Sequence, residues 1–141
     1  DTNGLALKNC IADAGLAEDI LFTGVIRVDD LPEALLSMAD LFVFPSLYEG
    51  FGIPPLEAMA CGTPVVTSNR TATPEVVGDA GILVDPLNVE ELAEAILSLL
   101  NDRDLHRTYR EKGLKRAAQY RMEQTAGELY RHLINILEKN S

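Results

Sequence analysis

Residues 40–68 read DLFVFPSLYEGFGIPPLEAMACGTPVVTS and contain two short apolar runs, at 41–44 and 64–67. Runs of this length are typical of strands that are buried on both faces of a parallel sheet. A Gly- and Pro-rich loop and one short helical segment lie between them. Pro55 fits the first helical position, and Gly62 ends the helix. Strand, loop, helix and strand form a βαβ unit, so this stretch predicts an α/β fold.

The loop that precedes this helix is the predicted ligand site. Open α/β sheets bind ligands at the loops beyond the carboxyl ends of their strands. Here the loop carries Glu49 and the sequence Gly50-Phe51-Gly52, and Glu57 is predicted to lie in the first helical turn. A carboxylate can accept two hydrogen bonds from a diol, and glycines let backbone amides approach a ligand closely. A structural role fits the same residues, with Glu57 complementing the helix dipole and Phe51 packed in the core.

The other segments alternate between the helical and the strand pattern. Helices are predicted near residues 5–12, 30–39, 73–78, 88–100, 102–114 and 122–138, and further strands near 19–24 and 81–84. Asp30, Asn88 and Asp102 are placed to cap their helices, and Gly15 with Leu16 is a predicted helix stop. Gly113 is a predicted kink or break, and Leu114 is predicted to face inward. Four strands that alternate with helices predict one mostly parallel sheet with flanking helices.

Composition excludes several classes of protein. The chain has 141 residues, a formal net charge of −10 and a pI near 4.5, which disfavours nucleic acid as a partner. No stretch reaches the roughly 18 apolar residues of a membrane span. Cys10 and Cys61 lack any disulfide or metal spacing, so they are predicted to be free buried thiols in a reducing, cytoplasmic setting. The chain begins at Asp1 without Met, so its targeting is left open.

Residues 45–66 closely resemble the nucleotide-sugar-binding region of retaining glycosyltransferases of group 1, also called family 4. The similarity continues through residues 74–81 and 84–86 and covers essentially the whole chain. It implies the Rossmann-like, C-terminal half of a two-domain GT-B enzyme. Such an enzyme moves a sugar from a nucleotide-diphosphate-sugar to an acceptor with retention of configuration, and it needs no metal or other cofactor.

The resemblance also implies roles for individual residues. Glu49 would meet the transferred sugar as the catalytic residue, and Glu57 would hold the ribose hydroxyls of the donor. Donor contacts are implied for Glu57, Gly50, Phe51, Gly52, Ile53 and Leu56. The loop at 25–27 would lie near the base. The family's basic Arg and Lys pair and its acceptor-binding N-terminal domain would precede Asp1. We therefore expect residues 1–141 to be a single, N-terminally incomplete domain that is inactive alone.

Other interpretations stay open. The same surface would suit a noncatalytic Rossmann-like module for binding or assembly, or a sugar-nucleotide epimerase of the same fold. An incomplete sheet exposes a strand edge, which predicts self-association or partial opening near residues 1–24. Peripheral contact of the parent protein with a membrane is open, and the resemblance leans toward mannosyl or glucosyl transfer in polysaccharide synthesis.

Three further features are assigned structural roles. Residues 102–104 match an Asp-x-Asp metal pattern but are expected to cap a helix. His106 and His132 stand without other ligand types nearby, so they are expected to be exposed. Arg70 is expected to be a solvated loop residue. No metal site is therefore predicted.

Overall fold

The structure is a computed structural model that describes residues 2–26, 32–120 and 122–139. The chain divides into two compact units, Asp1–Pro32 and Glu33–Ser141. In the first unit, helix α1 (Thr2–Asp13) is followed by a turn at Gly15, whose φ of 72° is left-handed. The Leu16 amide donates to the Ile11 carbonyl at 3.0 Å, which closes the last turn as the sequence predicts.

The strand predicted at 19–24 is wrong. Residues 20–26 are irregular, and Leu21 and Val25 are 86% and 92% exposed. An apolar run becomes a strand only when a neighbouring strand supplies hydrogen bonds, and the described part of this unit contains only a helix and turns. The predicted cap of the next helix at Asp30 lies outside the described residues, as does Arg27 of the loop assigned to the base.

The second unit is built on a parallel sheet. Its strands are β1 (Phe42–Phe44), β2 (Val65–Ser68) and β3 (Ile82–Val84), in the order β1-β2-β3. Val65 lies opposite Phe42, and Val66 lies opposite Ile82, with both pairs of strands parallel. The central strand β2 is buried along its whole length. The predicted parallel sheet is confirmed, with three strands among the described residues instead of four.

Six helices accompany the sheet in the described residues: α2 (Pro32–Met38), α3 (Ile53–Ala60), α4 (Thr73–Val77), α5 (Val89–Asn101), α6 (Arg103–Ala117) and α7 (Met122–Lys139). A 3-10 turn, Gly78–Ala80, follows α4. Among the described residues, none of the helices has the length and apolar character needed to cross a membrane.

Both faces of the sheet are covered by helices. Val65 and Val66 are neighbours in β2, so their side chains point to opposite faces. Val65 packs in one core cluster with Met59 of α3, and Val66 packs in a second cluster with Leu99 of α5. All four side chains are at most 1% exposed. A sheet that is buried on both faces explains why its strands read as continuous apolar runs.

Of the kink or break predicted at Gly113, the break is wrong, because α6 runs through this residue without interruption. Gly113 is buried, and a Cβ there would lie 3.3 Å from the Met59 Cγ atom. Glycine therefore allows α6 to approach α3 closely. Leu114 is 41% exposed, so its predicted inward orientation is also wrong.

The predicted helix caps at Asn88 and Asp102 are confirmed. The Asn88 side chain accepts a hydrogen bond from the Glu91 amide at 3.1 Å at the start of α5. Asp102 accepts from the amides of Asp104 and Leu105 at 2.9 Å at the start of α6. The acidic residues at 102–104 thus serve as the cap and first turn of a helix, as the sequence predicts.

The two cysteines are free, as predicted, but they are not buried. Cys10 is exposed, and Cys61 is partly exposed at the end of α3. α1 exposes most of its residues within its own unit, which accounts for the exposed thiol of Cys10.

Candidate functional site

The two predicted glutamates lie on either side of the start of α3. Glu49 is partly buried in the loop that follows β1. Glu57 is exposed and is the fifth residue of α3, so it lies in the second turn and the prediction of the first turn is wrong. The error arises because the helix begins at Ile53, two residues before Pro55.

Gly52 accounts for this early start. Its φ of 102° lies in the left-handed region, which favours glycine, and it turns the chain into α3. Gly52 is buried, and a Cβ there would lie 3.3 Å from the Thr73 Cγ2 atom. The glycine at this position is therefore required by both the backbone conformation and the close packing of the loop against α4.

The start of α3 offers few backbone donors. No side chain among the described residues caps it, and Pro54 and Pro55 have no N–H group. The Leu56 amide donates to the Gly52 carbonyl at 3.4 Å within the first turn. The amides of Gly52 and Ile53 are therefore the ones that this helix start can present to a ligand, while the amide of Leu56 is already engaged.

The loop that follows β2 holds the Glu49 loop in place. The Glu49 amide donates to the Thr71 Oγ1 atom at 3.0 Å, across 22 residues of sequence. Within the Glu49 loop, the Ser46 hydroxyl donates to the Tyr48 carbonyl at 3.2 Å. These two bonds fix the backbone on which the Glu49 carboxylate is carried.

Arg70 is not the solvated loop residue that the sequence predicts. Its Nη2 atom forms an ion pair with the Asp85 Oδ1 atom at 2.9 Å, and about 40% of each side chain is exposed. The Arg70 amide donates to the Ser68 Oγ atom, and its carbonyl accepts from the Thr73 hydroxyl at 2.7 Å. The parallel pairing of β2 and β3 brings the two ends of this ion pair together, and no local sequence signal reports that pairing.

Phe51 is neither buried in the core nor isolated. It is 44% exposed, and its ring meets Tyr120 edge to face with the ring centroids 5.9 Å apart. Arg116 lies over the same tyrosine at 5.2 Å from the ring centroid. The Arg116 guanidinium also donates to the carbonyls of Glu75 and Val76 near the end of α4. The end of α6 therefore supports the Glu49 loop, a contact that the sequence analysis missed.

The remaining polar candidates have structural surroundings. His106 is partly buried, with its Nε2 atom 2.8 Å from the Asp40 carbonyl oxygen, so its predicted exposure is wrong. His132 is exposed, as predicted. In the described residues no three His, Cys, Asp or Glu side chains come together as a group that could hold a metal ion.

The fold and the position of these loops define a class of protein. A parallel sheet covered on both faces, with polar residues in the loops after β1 and β2, is the arrangement of α/β proteins that bind a ligand at the carboxyl edge of the sheet. The chain matches the family Glycosyl transferases group 1 over residues 4–116, so it belongs to that family.

Individual relatives agree with this assignment. The chain is 47% identical over 104 residues to the O-antigen chain mannosyltransferase B of Escherichia coli, covering 74% of this chain and 27% of that protein. It is 38% identical over 107 residues to the GDP-mannose-dependent alpha-(1-6)-phosphatidylinositol monomannoside mannosyltransferase of Mycobacterium tuberculosis, covering 70% and 28%. These curated relatives are therefore much longer than this chain, which spans just over a quarter of their length.

A solved structure has the same fold. Sucrose-phosphate synthase from Thermosynechococcus elongatus matches with a TM-score of 0.79 and 33% identity, over 92% of this chain and 34% of that protein. The family and the Rossmann-like GT-B fold class that the resemblance implies are thereby confirmed.

Proposed function

We propose that this chain is the donor-binding part of a retaining glycosyltransferase that moves mannose from GDP-mannose to an acceptor in cell-surface polysaccharide synthesis. The observation that carries the proposal is the placement of Glu49 and Glu57 on either side of the start of α3, at the carboxyl edge of the sheet. Both relatives described above are mannosyltransferases, which supports mannose as the transferred sugar. The relative from Mycobacterium tuberculosis is GDP-mannose-dependent, which supports GDP-mannose as the donor.

In this proposal the two carboxylates have different roles, one in binding the nucleotide and one in the transfer step. Glu57 is exposed on the second turn of α3 and accepts hydrogen bonds from the ribose hydroxyls, which change little during the reaction. Glu49 orients the mannose, whose ring distorts and gains positive charge as the bond to the diphosphate breaks. An interaction that strengthens toward the transition state raises kcat, whereas one that is equally strong throughout contributes only to binding.

The start of α3 binds the leaving diphosphate in this proposal. The amides of Gly52 and Ile53 and the positive end of the helix dipole lie at the start of α3, directly after the loop that follows β1. Arg70 is paired with Asp85, so its charge is already compensated. We therefore assign most of the stabilisation of the diphosphate charge to cationic groups other than Arg70, and no metal ion is required in this scheme.

The test compares two variants of the complete enzyme that contains this chain, Glu49→Ala and Glu57→Ala. Glu57→Ala should weaken GDP and GDP-mannose together by about ten- to a hundredfold, because a lost charge-assisted hydrogen bond costs about 1.5–3 kcal/mol. Glu49→Ala should lower kcat strongly while leaving the affinity for GDP nearly unchanged. Calorimetry with GDP and steady-state kinetics with GDP-mannose measure both effects.

Glu94→Ala provides the matched control, since Glu94 is an exposed glutamate of α5 and lies outside the Glu49 loop and α3. It should leave both measurements unchanged. Equal losses of GDP affinity in the Glu49 and Glu57 variants would contradict the division of roles. Full mannose transfer by both variants would contradict the proposed function itself.

A further inference from the structure

Thr71 has a backbone conformation that its residue type disfavours. Among the described residues, it is the one non-glycine residue with a positive φ, at 54°. β-Branched residues are rarely found in the left-handed region, because their branched side chain crowds the backbone there. Such a conformation persists only when the surrounding contacts hold it, and it is concentrated at functional sites.

The contact that accompanies this conformation reaches the predicted catalytic loop. The Thr71 Oγ1 atom accepts the hydrogen bond from the Glu49 amide at 3.0 Å. Thr71 itself is exposed, so burial of its side chain does not account for its conformation. The hydroxyl joins the loop after β1 to the loop after β2.

The loop that carries Thr71 is braced on both sides. On one side, the Arg70 amide is bonded to Ser68, and the Arg70 guanidinium is paired with Asp85 at 2.9 Å. On the other side, the Thr73 hydroxyl donates back to the Arg70 carbonyl, and Thr73 is 1% exposed. The Thr71 hydroxyl is therefore attached to a rigid part of the fold.

We propose that Thr71 is a positioning residue that sets where the Glu49 carboxylate lies against the transferred sugar. This inference rests on the proposed role of Glu49. The Thr71 hydroxyl holds the Glu49 backbone. The position of this backbone in turn sets where the carboxylate can lie, because its carbon is four bonds from the backbone nitrogen, through Cα, Cβ and Cγ. Since displacement of a catalytic group by about 1 Å can lower the rate by about a hundredfold, loss of this hydrogen bond should lower kcat by about ten- to a hundredfold.

The test uses three substitutions of Thr71 in the complete enzyme. Thr71→Ser keeps the hydroxyl, Thr71→Val keeps the shape without the hydroxyl, and Thr71→Gly removes the hydroxyl while relieving the backbone strain. The serine variant should keep kcat within about threefold of the wild type. The valine and glycine variants should lose kcat, while their affinity for GDP, measured by calorimetry, stays within about twofold.

The glycine variant separates positioning from folding. Glycine accepts a φ of 54° without strain, so thermal unfolding of this variant should not occur at a lower temperature than that of the wild type. A loss of kcat without a loss of stability or of GDP affinity is not expected of a purely structural role. Full kcat in the glycine variant, or a loss of GDP affinity that matches its loss of kcat, would overturn the proposal.

A double variant identifies the group through which Thr71 acts. If Thr71 acts by placing the Glu49 carboxylate, Thr71→Gly should cause no further loss of kcat in the Glu49→Ala background. Independent, multiplying losses would overturn the proposal. If Glu49→Ala alone keeps full kcat, the proposed function fails; if Glu49→Ala loses the rate and Thr71→Gly does not, only the positioning role fails.

Discussion

Replacement of Arg116 by methionine should destabilise the second unit more than the same replacement of an exposed arginine elsewhere on α6. The Arg116 Nε atom donates to the Val76 carbonyl at 2.8 Å, and its Nη2 atom donates to the Glu75 carbonyl. These carbonyls lie in the last turn of α4, where a helix leaves acceptors without partners. The same guanidinium lies over Tyr120, which contacts Phe51 in the Glu49 loop.

The size of the effect follows from these contacts. A hydrogen bond from a charged donor contributes about 1.5–3 kcal/mol, and the partial exposure of Arg116 places each of the two bonds at the lower end. The contact with the tyrosine ring contributes about 0.5–1 kcal/mol at such a site. Methionine retains most of the apolar stem, and water partly replaces the lost donors. We expect the free energy of unfolding to fall by about 3 kcal/mol in total.

Urea unfolding followed by circular dichroism measures this change. With a slope of about 2 kcal/mol per molar urea, a loss of about 3 kcal/mol lowers the midpoint by about 1.5 M. Arg107→Met is the matched control, because Arg107 lies on the same helix and loses the same charge. Its ion pair with Asp104 leaves the two side chains 69% and 84% exposed, so the control should change stability by less than about 1 kcal/mol. Equal midpoints for the two variants would refute the reasoning.

Two other predictions concern stability. Gly81→Ala should destabilise the fold by about 1–3 kcal/mol, since the new Cβ would lie 2.7 Å from Val77 Cγ1 and 2.9 Å from the Val65 carbonyl oxygen. Gly127→Ala should instead stabilise α7 by about 0.5–1 kcal/mol, because a Cβ at Gly127 would meet no atom within 4 Å. Urea midpoints that move in the same direction would contradict this pair. The Lys112 ammonium, 3.0 Å from the carboxylate, holds the pKa of Asp79 below its usual range. The resulting stabilisation is therefore complete above the pKa of the unfolded chain and is lost as the pH falls through the lowered folded value. In the Lys112→Met variant, the pKa of Asp79 should return toward its usual range, which NMR titration measures. An unchanged titration curve would rule out Lys112 as the cause of the lowered pKa.

Local chemistry in the sequence determined much of the architecture. The βαβ unit is predicted from two apolar runs and from the Gly- and Pro-rich loop and short helix between them, because buried parallel strands need apolar side chains on both faces. The caps at Asn88 and Asp102 are found correctly, since a cap bonds to amides only two or three residues away. Gly62 ends α3 as predicted, with a φ of 76°. The family resemblance depends on the same contiguous stretch.

The tertiary structure alone decided what joins these segments. The bond between Thr71 and Glu49 spans 22 residues, and the ion pair of Arg70 with Asp85 spans 15. The use of Gly113 as a point of contact with α3 likewise depends on how two helices meet. Hydrophobic periodicity reports which face of a segment is buried, but it carries no information on which distant segment covers that face. The sequence therefore identified both glutamates of the candidate site, whereas the contacts that hold Glu49 in place became visible only when the strands were paired and the loops after β1 and β2 lay side by side.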